Sequence, residues 1–210
     1  MFYAMIVLAT LFAGTSMAQN APVNPVLYEV FDLAAQKAEV PTKLLYSICW
    51  AESHLKQDAY AHNDGLADNH AFGACQILYK TAIEMGMKKD SKCERDFRSE
   101  TEFSVAGIKL PEGHKSLPRT EKTCRLFSVY NSAYYAGLYL KKKLKQYDNS
   151  WISGIAAYNT GTLKVCKTGF VYRAKDQKVL YTCQKGGLLN QKYVDKILGF
   201  VSNNFQDEKE

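Results

Sequence analysis

The sequence predicts an α+β fold, mainly helical, with one small β-hairpin. Two observations carry this expectation. Apolar residues recur at helical spacing along most of the chain, and one stretch, GFVYRAKDQKVLYTC at 169–183, holds two β-rich runs about a polar turn. With 210 residues, 47% of them hydrophobic, the chain can bury a substantial core, and no repeat, low-complexity tract or linker divides it. One domain is expected over 19–210, and a monomer.

The first 18 residues stand apart. They carry no charged side chain, run apolar from Met5 to Ala13, and end in a small-x-small pattern at Ser16 and Ala18. This is the pattern of a secretory signal peptide. The run is short for a membrane anchor, so export across the inner membrane, to a periplasmic or extracellular site, is expected. No other segment reads as a membrane span.

Asn24 followed by Pro25 reads as an N-cap and a first-turn proline, and Leu27, Val30, Phe31, Ala34 and Ala38 then repeat on one helical face. Pro41 punctuates, and a second helix places Leu45, Ile48, Cys49, Glu52 and Leu55 on one face. Residues 56–69 turn polar, FGACQIL at 72–78 is short and apolar, and Thr81 begins a short helix ending near Gly86. Residues 88–122 are rich in charge and contain two prolines. With Cys93 near one end and Cys124 just beyond the other, they read as an insertion stapled at its base. Ala133, Ala136, Gly137, Leu140, Leu144 and Tyr147 mark a strong helix. Ser150 caps the next, with Ile152, Ile155, Ala156 and Asn159 in line. After the hairpin, Val194, Ile197, Leu198 and Val201 form a last helix.

All six cysteines (Cys49, Cys75, Cys93, Cys124, Cys166 and Cys183) follow the signal peptide. An even count in an exported chain favours disulfides, although six cysteines allow 15 pairings. Cys166 and Cys183 flank the hairpin and are placed to close it. Zinc is the alternative, but neither a Cys-x-x-Cys pair nor a His pair at ligand spacing occurs. The formal charge of +6 favours a polyanionic partner, such as a wall polymer with free carboxylates. Nucleic acid is not indicated, because Lys and Arg are scattered and no recognition motif appears.

Glu52 is the residue out of place, an ionisable acid on an apolar helix face. Burial disfavours the carboxylate and raises its pKa, and a carboxyl that keeps its proton near neutral pH can act as a general acid. A partnered structural acid is the other reading of such a residue.

Further short motifs give the first reading a context. In order they are Glu52-Ser53; Gly73-Ala74-Cys75-Gln76-Ile77; Thr81-Ala82 with Gly86; Asn131 with Gly137 and Tyr139-Leu140; Ala157-Tyr158-Asn159 with Gly161; and Tyr193-Val194. Six fragments in this order, over about residues 25 to 205, resemble the lytic transglycosylases of glycoside hydrolase family 23, relatives of goose-type lysozyme. Size and signal peptide also resemble the small members that accompany secretion systems. The resemblance implies a lysozyme-like fold and cleavage of the β-1,4 bond between N-acetylmuramic acid and N-acetylglucosamine in peptidoglycan, without metal or cofactor. It implies Glu52 as acid and then base, closing a 1,6-anhydro ring with the substrate's own acetamido group stabilising the cation. It further implies substrate contacts at Ser53, Gln76, Leu78, Tyr158 and Asn159. Each has a plainer reading as a packing or helix-end residue.

The sequence departs from the family pattern between Glu52 and Gln76, where the gap is longer, and at Ala74-Cys75, where the family has Leu-Met. If the family fold holds, the Gln76 segment packs beside the Glu52 helix, and Cys49 could bridge to Cys75. The longer loop also carries Asp58, Asp64 and Asp68. Any of these could position water for hydrolysis or simply solvate the loop. A catalytically silent wall-binding protein on the same scaffold is the remaining alternative.

Overall fold

In the computed structural model the described residues are 23–62, 70–167, 170–172, 179–182 and 185–205. The signal-peptide reading, Asp64, Asp68 and Cys183 lie outside them. Asn24 caps helix α1 (Pro25–Ala38) by accepting a hydrogen bond from the Leu27 N–H, with Pro25 at the first position. Glu39 turns left-handed to end it. Pro41 leads into α2 (Thr42–Ser53), and the Thr42 hydroxyl donates to Asp32 on α1 at 2.7 Å.

Helix α2 is the centre of the molecule. Leu44 to Cys49 are six consecutive buried residues, so this stretch is enclosed on all sides rather than along one stripe. Its neighbours are α1, α5 (Val129–Gln146) and α7 (Gln191–Asn204). The helix ends earlier than the sequence pattern implied. His54 and Leu55 both take left-handed conformations, and Leu55 turns in as a buried residue beyond the last turn.

The polar stretch after α2 and the FGACQIL segment form an antiparallel sheet that the sequence did not announce. Its order is β1 (Tyr60–Ala61), β2 (Ala71–Phe72), β3 (Ile77–Leu78), with Tyr60 opposite Phe72 and Phe72 opposite Ile77. Two-residue strands give too short an alternation to read. The short helix α3 (Tyr79–Glu84) starts two residues before Thr81, straight from β3.

Residues 88–122 hold a 3-10 turn (Ser91–Glu94) and α4 (Glu100–Val105), which opens on a reciprocal capping box between Ser99 and Glu102. Phe97 from this segment closes a triangle of rings with Phe72 and Phe127, at centroid distances of 5.1–5.9 Å. A second apolar cluster thus forms between the sheet, α3 and the segment, and Cys93–Cys124 joins the segment's ends inside it. Tyr139 on α5 packs against both this cluster and the main helical core.

Helix α6 (Trp151–Thr160) is capped by Ser150, as its sequence indicates. The hairpin is present as β4 (Phe170–Tyr172) and β5 (Val179–Thr182), antiparallel. Cys166 is disulfide-bonded. No helix among the described residues is long and apolar enough to cross a membrane.

The second observed bond is Cys49–Cys75, joining α2 to the turn between β2 and β3 across a sequence separation of 26. On loop-closure entropy it contributes about 3 kcal/mol. Replacing both cysteines by alanine is expected to lower the urea midpoint accordingly. An unchanged midpoint would mean that the bond constrains nothing in the unfolded chain.

Candidate active site

Glu52 sits in the last turn of α2 and is half-buried. Its placement depends on the adjoining turn, Gly73 to Gln76. Gly73 has φ +67°, and a Cβ there would stand 2.2 Å from the Leu126 carbonyl oxygen, so only glycine fits. Gln76 is also left-handed, at φ +47°. The buried Ser132 hydroxyl on α5 holds this strained turn. It accepts from the Cys75 N–H at 3.1 Å and donates to the Phe72 carbonyl at 3.4 Å.

Three links then lock the turn to the helices. One is Cys49–Cys75, a turn of helix before Glu52. In the second, the Ser53 hydroxyl donates to the Ala74 carbonyl at 2.7 Å. In the third, the buried Tyr158 hydroxyl on α6 donates to the Cys75 carbonyl at 3.3 Å.

A cleft of about 580 Å³ opens over this junction. Glu52, Gln76, Leu78, Tyr139, Tyr158, Asn159 and Lys164 are among the residues that line it. Five of the six residues singled out from the sequence therefore converge on one cavity. Ser53 does not line it; its hydroxyl is committed to Ala74 and accepts from the Lys56 N–H. Asp58 lies in a separate hollow with Arg119 and Glu102. Among the described residues, Glu52 is the only carboxylate lining the cleft.

Burial raises the Glu52 pKa above the usual carboxyl range, and this outweighs two opposing effects. One is a 2.5 Å hydrogen bond donated by the Tyr193 hydroxyl to Oε1. The other is the positive charge of Lys196, whose ammonium donates to the Ala51 carbonyl and lies over the Trp50 ring. Tyr193 and Tyr158 are themselves pushed well above the ordinary phenol range by burial and by Glu52, so both remain neutral donors. Tyr193 was legible only as part of the late Tyr-Val motif. Its partner lies 141 residues away, and Tyr193 and Lys196, one turn apart on α7, together reach the end of α2.

Chemically, the site is one protonatable acid in an open, partly apolar groove, with amide groups of Gln76 and Asn159 on its walls. Among the described residues no group of three or more His, Cys, Asp or Glu could hold a metal ion.

Residues 108–180 match the family model of the transglycosylase SLT domain. The match is consistent with a lytic transglycosylase of the lysozyme-like superfamily and supports a peptidoglycan-cleaving function of that general type. It contains Tyr139, Tyr158 and Asn159 and does not reach Glu52. No curated protein matches the chain.

Tyr193→Phe removes a hydrogen bond that favours the charged form of Glu52. The carboxyl should then titrate at a higher pH, read by NMR of the labelled side chain. An unchanged titration would show that the bond does not bear on Glu52.

Proposed function

We propose that the protein is a lytic transglycosylase of the glycoside hydrolase family 23 type, with Glu52 as its general acid and base. The observation that carries this reading is the cleft in which a half-buried acid with a raised pKa stands as the only carboxylate among the described lining residues. A glycosidic oxygen leaves poorly unless protonated, and Glu52 in its acid form supplies the proton.

Glycosidases that use a covalent intermediate or an activated water bring a second carboxylate to the bond. Among the described residues Asp58 lies in another surface hollow and brings no second carboxylate to the cleft, which supports a reaction within the substrate. The sugar's acetamido oxygen stabilises the developing cation. Glu52, now a carboxylate, takes the proton of the 6-hydroxyl, and that oxygen closes the 1,6-anhydro ring. The proton given to the leaving sugar is recovered in the second step, so no water is consumed. Gln76, Leu78, Tyr158 and Asn159 line the path of the glycan, and Ser53 serves by holding the turn. Export to the cell envelope, where peptidoglycan lies, fits the charge and the leader sequence, and a monomer working beside a secretion apparatus is the setting we favour.

Glu52→Gln should abolish release of anhydro-muropeptides from purified peptidoglycan while the variant stays folded, as read by mass spectrometry and circular dichroism. Products one water heavier from the wild type would instead indicate hydrolysis. In the wild type the rate should fall as pH rises through the raised Glu52 pKa, because the acid form is the proton donor.

Stability follows the same sign. A carboxyl whose folded pKa lies above its unfolded value favours the folded state fully below the unfolded value, and loses that advantage as pH rises through the folded one. The melting temperature of Glu52→Gln relative to wild type should therefore rise between mildly acidic and neutral pH. A difference independent of pH would mean that Glu52 is not strained by burial.

A further inference from the structure

Two side-chain amides face the cleft, and their polarity is fixed by groups behind them. Gln76 donates from Nε2 to the Gly73 carbonyl at 3.1 Å. A carbonyl can only accept, so the nitrogen of Gln76 must face it and the oxygen is left for the cleft. Asn159 is set through an intermediary. Asn190, at the start of α7, donates from Nδ2 to the Ala156 carbonyl at 3.0 Å and to Asn159 Oδ1 at 3.1 Å. The Ala156 carbonyl fixes which end of Asn190 points at α6. That end is a donor, so the atom of Asn159 that meets it must be the oxygen.

Turning Asn190 over would set its oxygen against the Ala156 carbonyl and lose both bonds. The observed orientation is kept although it leaves the buried Asn190 Oδ1 without a hydrogen-bond partner among the described residues. The amide nitrogen of Asn159, a residue that is exposed and lines the cleft, remains without a hydrogen bond to another described residue. Without Asn190, the Asn159 amide could present either end to a ligand.

We propose that Asn190 is a positioning residue: acting through Asn159, it fixes the α6 side of the cleft as a hydrogen-bond donor to an acceptor oxygen of the bound glycan. The inference rests on the glycan reading of the cleft. The α2 side, through Gln76, then offers an acceptor, and the groove distinguishes a strand by where its N–H, hydroxyl and carbonyl groups fall. Asn190 does not line the cleft itself, so its effect is expected in affinity and not in the proton transfer.

The test is a double-mutant cycle on affinity for an N-acetylglucosamine tetramer, measured by calorimetry on the Glu52→Gln protein so that nothing is cleaved. Asn190→Ala alone is expected to weaken binding about twofold, because the freed Asn159 amide must then be drawn from two orientations into one. In the Asn159→Ala background the same change should leave binding unchanged, because the group Asn190 orients is gone. A loss at Ala156, which is merely structural, would be equal in both backgrounds and would overturn the proposal. Absence of any tetramer binding would overturn the donor role, while release of anhydro-muropeptides by the wild type separately decides the proposed function.

Discussion

The Cys49–Cys75 bond ties the helix carrying Glu52 to the turn carrying Gln76, and the cleft exists where these two elements meet. The turn is an unfavourable piece of backbone, with two left-handed residues in four. It persists because its polar groups are satisfied from three helices: by Ser53 of α2, Ser132 of α5 and Tyr158 of α6. Each bond is modest in water. Together with a covalent link they over-determine the turn, which is what holds a strained segment at a functional site.

The same economy shapes the electrostatics. Among the described residues Glu52 is not paired with a basic side chain that would pin it as a carboxylate. It receives one neutral donor, Tyr193, and lies within the field of Lys196, which spends its hydrogen bond on the carbonyl end of α2. Burial wins over both, so the group is neither a buried ion pair nor an isolated charge. An acid that must give up a proton and later take one back needs such an intermediate setting.

Much of this was legible in the sequence. The caps at Asn24 and Ser150, the helical stripes and the hairpin rest on local rules, and the structure follows them. Glu52 drew notice because a charge on an apolar stripe conflicts with its own helix, and the ordered motifs brought Gln76, Tyr158 and Asn159 to the same cleft. Two-residue strands fall below the length at which alternation is detectable, so the three-stranded sheet was missed. The early end of α2 was missed as well, because His54 carries only a weak left-handed signal and Leu55 none. Motif order left Ser53 open between a substrate contact and a structural residue, and its hydroxyl bonds to the Ala74 carbonyl of the turn. Tyr193 and Asn190 owe their roles to partners far off in the chain, Glu52 and α6, which no local pattern can reveal.

Helix α5 has a further implication. Its inward face is built of Ser132, Ala133, Ala136 and Gly137, and a Cβ on Gly137 would stand 2.8 Å from the Ala38 Cβ. At that face the backbones of α1 and α5 approach as closely as side chains allow, and Ser132 spends its hydroxyl on the strained turn. Sequence drift along this face is therefore confined to the smallest residues, while the exposed Lys142 and Lys145 on the outward side can vary with little consequence. The legible family pattern, from 108 to 180, spans this rigid helix and α6.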